Sequence, residues 1–245
     1  MAVIRFFAAS LLRGGLLKAI GVLLLLSLIV AFVLSDVDIG DKNKLFYDLI
    51  LVAESFWLYA IALLWGYELS KNEQLLKLAR IPLSTTLSRR SYETGRFAAM
   101  ALSFAPLALL LAVLTLALAT PLVAWQFILY AVSALLVGFL VLTLSRFFAP
   151  VSAVLYAAAL LMIGNGLDEL YLYGKLSNAS QSVRVIGEVL FVILPNFSLF
   201  DHQGEAVSGI IDTVFGFFGL PILYALALMS ALLALSIWRF KKAAI

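Results

Sequence analysis

The sequence has no cysteine. That excludes disulfides, thiolate metal sites and a cysteine nucleophile. It has one histidine, His202, so a multi-histidine metal site within one chain is excluded as well. No GxxxxGKS/T loop is present, and the chain cannot hydrolyse a nucleotide through a P-loop. A GxSxG nucleophile elbow and an HExxH pair are also missing. An intramembrane serine protease needs serine with histidine, and His202 falls in a polar connection. An intramembrane aspartyl protease needs two aspartates within spans, and none lies deep in an apolar run. Nothing positive supports an enzyme.

Charge is scarce too. Only 13% of the 245 residues are charged and 64% are hydrophobic. A soluble domain carries about 25% charged and about 45–50% apolar residues. A soluble fold of this size would lack polar residues to cover its surface. The economical reading is an all-α polytopic membrane protein with one membrane domain over residues 1–245.

Six apolar runs are long enough to count as spans: about 16–34, 46–67, 97–119, 122–144, 150–163 and 214–237. Lys18 interrupts the first near its end, where it can snorkel. Before it, residues 1–15 interleave Ile4, Phe6, Phe7, Leu11 and Leu12 with Arg5 and Arg13. They fit an interfacial helix, or the frayed start of the first span. The first run is too long for an ordinary signal-peptide core and lacks a small-x-small cleavage site, so an uncleaved helix is expected. Pro106 falls inside the third span as an expected kink, Thr120-Pro121 makes a minimal turn, and Pro150 suits a helix start. Between the fifth and sixth spans, residues 183–194 are apolar apart from Arg184, Gly187 and Glu188. A dozen residues are too few to cross, and a re-entrant or interfacial helix is expected there.

Six spans put both termini on one side. With that side cytoplasmic, thirteen of the seventeen Lys and Arg residues face inward, including Arg146, Arg239, Lys241 and Lys242. The bias matches the positive-inside rule. Acids collect on the other side: Asp36, Asp38, Asp41, Asp168, Glu169, Asp201 and Glu205.

One ionisable residue, Glu54, sits well inside a span. Intramembrane carboxylates are costly and often serve proton or substrate pathways. The bland alternative is a hydrogen bond to a neighbour at a helix or subunit interface. Secondary transporters usually show several such groups, which favours the bland reading.

The longest basic interruption is 68–95, with Lys71, Lys77, Arg80, Arg89 and Arg90, and Arg96 just beyond. Its first part places Leu75, Leu76, Leu78 and Ala79 among Lys71, Glu73, Lys77 and Arg80. That suits a short amphipathic helix over 68–81, ended by Pro82. The second part, LSRRSYETGR at 87–96, leads into the third span. Physics alone reads it as a basic stop with an N-cap serine.

This stretch resembles the signature of ABC-2 type permeases, the membrane subunits of ABC transporters. Leu87, Ser88, Arg89, Tyr92 and Gly95 match, with Arg96 in place of lysine. It departs at Thr86, where the family often has proline; here Pro82 comes earlier. The Leu194-Pro195-Asn196 segment before the last span is similar to that of small permeases of this class, including the nitrous-oxide-reductase maturation type. The N-terminus lacks the Arg-Lys-Glu opening that many members have.

The resemblance implies a non-catalytic permease in a bacterial inner membrane, working as a homodimer or with a sister chain. Two ATPase subunits would bind the ATP and Mg, with no cofactor on this chain. Membrane lipid is a further partner, and nucleic acid is not one. The coupling helix between spans two and three would dock the ATPase. Leu75, Leu76, Leu78 and Ile81 would fill its groove, with Glu73, Arg80 and Arg89 as the charged rim. Two other readings stay open: a stand-alone channel or secondary transporter using Glu54, and a scaffold whose basic loop recruits a cytoplasmic partner.

Overall fold

The structure is a computed structural model. It describes residues 26, 29–30, 33, 42–75, 88–167, 185, 187–191, 194–208 and 215–242. The elements are α1 (Lys42–Leu75), α2 (Arg89–Leu118), α3 (Pro121–Leu144), α4 (Pro150–Asn165), a 3-10 turn (Ser198–Phe200), α5 (Gln203–Ser208), a π turn (Phe215–Gly219) and α6 (Leu220–Lys242). No strand occurs among the described residues.

Among the described residues, four helices are long and apolar enough to cross a membrane: Lys44–Asn72, Arg90–Ala117, Pro121–Leu144 and Gly216–Lys242. The shortest has 24 residues, about 36 Å at 1.5 Å per residue, against a hydrocarbon core of about 30 Å. The protein is therefore an all-helical, membrane-embedded protein. Helix α4 is apolar but has 16 residues, about 24 Å. Of the first expected span, Leu26, Ile29, Val30 and Val33 are helical and exposed. The rest of 16–34 and the N-terminal segment 1–15 lie outside the described residues. Of 183–194, Val185 and residues 187–191 are helical.

Local chemistry sets the helix starts. Ser88 caps α2: its Oγ accepts from the Ser91 backbone N–H at 3.1 Å, satisfying one orphan donor of the first turn. Thr120 caps α3 and Pro121 occupies its first turn, where a missing N–H costs nothing. Pro150 does the same for α4. Pro106 is carried inside α2.

Two helices run further than their apolar runs suggest. Helix α1 continues past residue 67 to Leu75, so the first half of the expected coupling helix is the last two turns of α1. Leu69 and Ser70 explain this. Both are buried against the bundle, and the Ser70 hydroxyl donates to Gly66 O at 2.8 Å. No proline or glycine breaks the chain between Tyr67 and Pro82. Helix α2 begins at Arg89, two turns ahead of the expected 97, and α6 runs on to Lys242.

Helix α3 is the axis of the bundle. Buried residues run along it from Val123 to Thr143 on all but one face, where Trp125, Ile128, Val132 and Leu135 are half-buried. Tyr59 meets Ser133 and Gly66 meets Val141, so α1 runs parallel to α3. Phe97 meets Phe139, so α2 runs antiparallel. Helix α6 is parallel again, with Leu232 beside Thr143. Between α2 and α3 an open groove of about 290 Å³ is walled by Ala101, Ala105, Ala108 and Ala112 and by Ile128, Ala131, Val132 and Leu135.

The α1–α3 seam depends on two glycines. A Cβ on Gly66 would lie 2.8 Å from Val141 Cβ, and one on Gly138 would run into the Met100 side chain and stand 3.3 Å from Ala62 O. Small residues let membrane helices approach closely enough for dispersion contacts to accumulate. Val141 is branched at Cβ and cannot turn aside. Gly66→Ala is expected to destabilise the bundle by about 1–3 kcal/mol through overpacking. Thermal unfolding in detergent checks this: a large drop for Gly66→Ala, and a smaller one for Gly138→Ala, where flexible Met100 can yield.

Candidate functional site

The helix directions gather one class of residue at each end of the bundle. The end formed by the α1 C-terminus, the α2 N-terminus and the α3 and α6 C-termini carries Lys71, Arg90, Arg96, Arg146, Arg239, Lys241 and Lys242. Within it Glu93 is fully buried. Its Oε1 pairs with Arg146, just past α3, and lies 3.6 Å from Arg96 Nη1, one turn along α2. Its Oε2 accepts from the Ser236 hydroxyl of α6 at 2.8 Å. One carboxylate therefore joins three helix ends.

Aromatic rings close the same corner. Tyr92 stacks on Phe240 with centroids 5.8 Å apart and planes 27° apart. The Arg146 guanidinium lies 4.6 Å from the centre of the Phe240 ring. Arg239 lies over Phe147 at 5.3 Å, and Lys242 over Trp238 at 4.2 Å. These cation–π contacts hold cationic groups against apolar surface, where hydration is poor.

The opposite end is built from amides, a phenol and carboxylates. Gln126 Nε2 donates to Phe200 O at 2.8 Å, and its Oε1 accepts from the His202 N–H at 3.2 Å. Tyr130 OH donates to Asp201 Oδ1 at 2.8 Å. Gln203 Nε2 donates to Asp48 Oδ1 at 2.9 Å. The Asn196 N–H donates to Tyr224 OH at 2.8 Å, and the Phe197 N–H to Gly164 O at 3.2 Å. These bonds strap residues 196–203 across α1, α3, α4 and α6 as a cap. One layer deeper, Tyr59 OH and Ser133 Oγ are 2.9 Å apart.

Glu54 lies in α1 and is 3% exposed. Thr115 Oγ1 stands 3.2 Å from both of its carboxylate oxygens and 2.9 Å from Leu111 O. The contact joins α1 to α2. The described residues contain no cluster of three His, Cys, Asp or Glu able to hold a metal.

The sequence-derived site residues fall into three groups. Ser88, Arg89, Tyr92, Gly95 and Arg96 form the cap and first two turns of α2. Tyr92, Gly95 and Arg96 are buried there; Tyr92 stacks on Phe240 of α6, and Arg96 lies beside Glu93 of its own helix. Glu73 and Leu75 are among the last residues of α1. Leu76, Leu78, Arg80, Ile81 and Leu87 lie outside the described residues. Sequence reasoning missed Glu93, Ser236 and Phe240. The available signal was a lone acid between Tyr92 and Gly95, in a stretch with three arginines, Arg89, Arg90 and Arg96.

No protein-family model and no curated protein matches the chain.

Removing one partner of a buried ion pair leaves an uncompensated charge and costs about 3–5 kcal/mol. Glu93→Ala is therefore expected to destabilise the bundle by that amount. Ser236→Ala should cost about 1.5–3 kcal/mol, the range for a hydrogen bond to a charged group. Chemical unfolding in mixed micelles measures both. Equal stability of Glu93→Ala and wild type would remove the carboxylate from the structural core.

Proposed function

We propose that this chain is the permease subunit of an ABC-2 type transporter. It would move a substrate across a bacterial inner membrane, driven by ATP hydrolysed on a separate ATPase. In this reading six helices span the membrane, both termini are cytoplasmic, and residues 183–194 form a re-entrant or interfacial segment. Two permease chains, identical or sisters, sit above two ATPase subunits that bind ATP and Mg.

One observation carries the reading: Leu87, Ser88, Arg89, Tyr92, Gly95 and Arg96 match the family signature in sequence. It gains support from where the described part of that match falls. Ser88 caps a membrane-crossing helix at the basic end of the bundle. The positive-inside rule assigns such an end to the cytoplasm. A permease of this kind has no P-loop of its own, as here, and draws on an outside source of energy. Residues 76–81, with Glu73, Leu75 and Arg89 beside them, would form the docking surface.

The test is co-expression with candidate ATPases and purification through a tag on this chain. An ATPase should co-purify in equal number with the permease. Leu76→Asp or Leu78→Asp should abolish that association while membrane insertion persists, because a charge in an apolar docking groove must be desolvated. A stable chain that retains no ATPase overturns the reading.

The second reading is a stand-alone transporter using Glu54, favoured by the burial of that carboxyl in the bundle. It is separated by flux in ATP-free proteoliposomes. The permease reading expects none. ATP-independent flux that disappears in Glu54→Gln would establish the alternative.

A further inference from the structure

Helix α6 is the least enclosed of the membrane-crossing helices among the described residues. Its outward face is bare: Leu223, Leu226 and Leu235 are 57%, 57% and 43% exposed. Helix α3, by contrast, is buried along its whole length. At one end α6 does not begin as a regular helix. It grows out of the π turn Phe215–Gly219, with Gly216, Gly219 and Pro221 within seven residues. A π turn widens the backbone and loosens the ladder, and proline two residues on withholds an N–H. The turn itself is anchored. Phe217 is buried with its ring 5.2 Å from that of His202, and Phe218 packs on Trp125 at 5.0 Å. The backbone is thus soft where the side chains are fixed, which is the arrangement of a hinge.

At the other end α6 is held by directional contacts, among them Arg239 over the Phe147 ring. The Ser236 hydroxyl donates to Glu93, and Phe240 lies against Tyr92 and under Arg146. Midway along α6, the Thr143 hydroxyl of α3, which donates to Phe139 O at 2.9 Å, also stands 3.3 Å from Leu232 O. Glu93 keeps Arg146 and Arg96 as partners whether or not Ser236 is present. Both arginines pair with Oε1, so opening the Ser236 bond leaves the charge compensated and removes one hydrogen bond from Oε2.

We propose that α6 is a lever, hinged at the π turn Phe215–Gly219 and latched to α2 through the Ser236–Glu93 hydrogen bond, with Glu93 as the positioning residue. Tyr92 and Glu93 lie one turn inside the Ser88 cap. A displacement of the α2 start shifts them directly, and with them the far end of α6. The lever turns that shift into a swing of the Arg239–Lys242 end about the hinge. The coupling of this swing to ATP rests on the permease reading. The hinge and latch do not.

The absence of native cysteine makes paired spin labels unambiguous. Arg90 and Lys242 are exposed and stand on α2 and α6 beside the latch. With Arg90→Cys and Lys242→Cys labelled on the full chain in nanodiscs, pulsed dipolar spectroscopy should give one narrow distance. Ser236→Ala should add a longer component. Ser236→Thr, which keeps the hydroxyl, should return the distribution to the narrow one. Gly219→Ala in the Ser236→Ala background should reduce the longer component by stiffening the hinge. An unchanged distribution in Ser236→Ala, or a Thr variant that behaves as Ala does, overturns the latch. If an ATPase drives flux while the wild-type distance stays fixed through the ATP cycle, the lever is overturned and the permease reading stands. If Ser236→Ala opens the distance and no ATPase binds, the lever stands and the permease reading falls.

Discussion

Water is scarce where α3 runs, and polar groups in a membrane interior must be satisfied by neighbouring protein. Most of the architecture answers that constraint. Gln126, Ser133 and Thr143 are buried on α3, and each contacts another element, Thr143 while also donating to Phe139 O of its own helix. Gln126 fixes the cap, Ser133 meets α1, and Thr143 reaches α6. Side chains that would be isolated costs on a single helix become the points at which other helices are registered. Between them the seam is closed by small residues, Gly66 and Gly138, where nothing polar intervenes. The polar groups set which helices meet and in what register, and the glycines set how close they come.

The two ends of the bundle solve the same problem with opposite chemistry. The cap end uses amides, hydroxyls and carboxylates in a chain of neutral and charge-assisted bonds. The other end buries a single carboxylate among arginines and shields the guanidinium groups with aromatic rings. A buried carboxylate is sensitive to the position of every group it serves, because its desolvation is offset only while those partners stay close. Placed one turn inside a helix start, it lets that start influence two other helices.

Much of the fold was legible in advance, for stated reasons. Long apolar runs located the crossing helices, because a helix that faces lipid has little choice of composition. Thr120-Pro121 and Pro150 marked helix starts, because a capping hydroxyl and a proline without N–H fit a first turn. The ends of α1 and α2 were less legible. Hydropathy stops where side chains become polar, but the backbone stays helical while packing still holds it, as Leu69 and Ser70 do for α1 and Tyr92 and Arg96 for α2. The candidate site was half legible. Ser88, Tyr92, Gly95 and Arg96 were singled out in a basic stretch. Glu93, which organises that corner, was passed over because its partners are distant in sequence.

By itself the sequence determined that this protein is helical and lies in a membrane, and that its positive charge is concentrated in a few polar edges. Those properties follow from composition and period, which act locally. Tertiary structure alone decided that Arg96, Arg146 and Ser236 converge on one carboxylate. Their separations of 3, 53 and 143 residues from Glu93 carry no local signal. Only the antiparallel and parallel packing of α2, α3 and α6 brings those helix ends to the same level. The same packing turned an apparently solvated basic stretch into a buried junction.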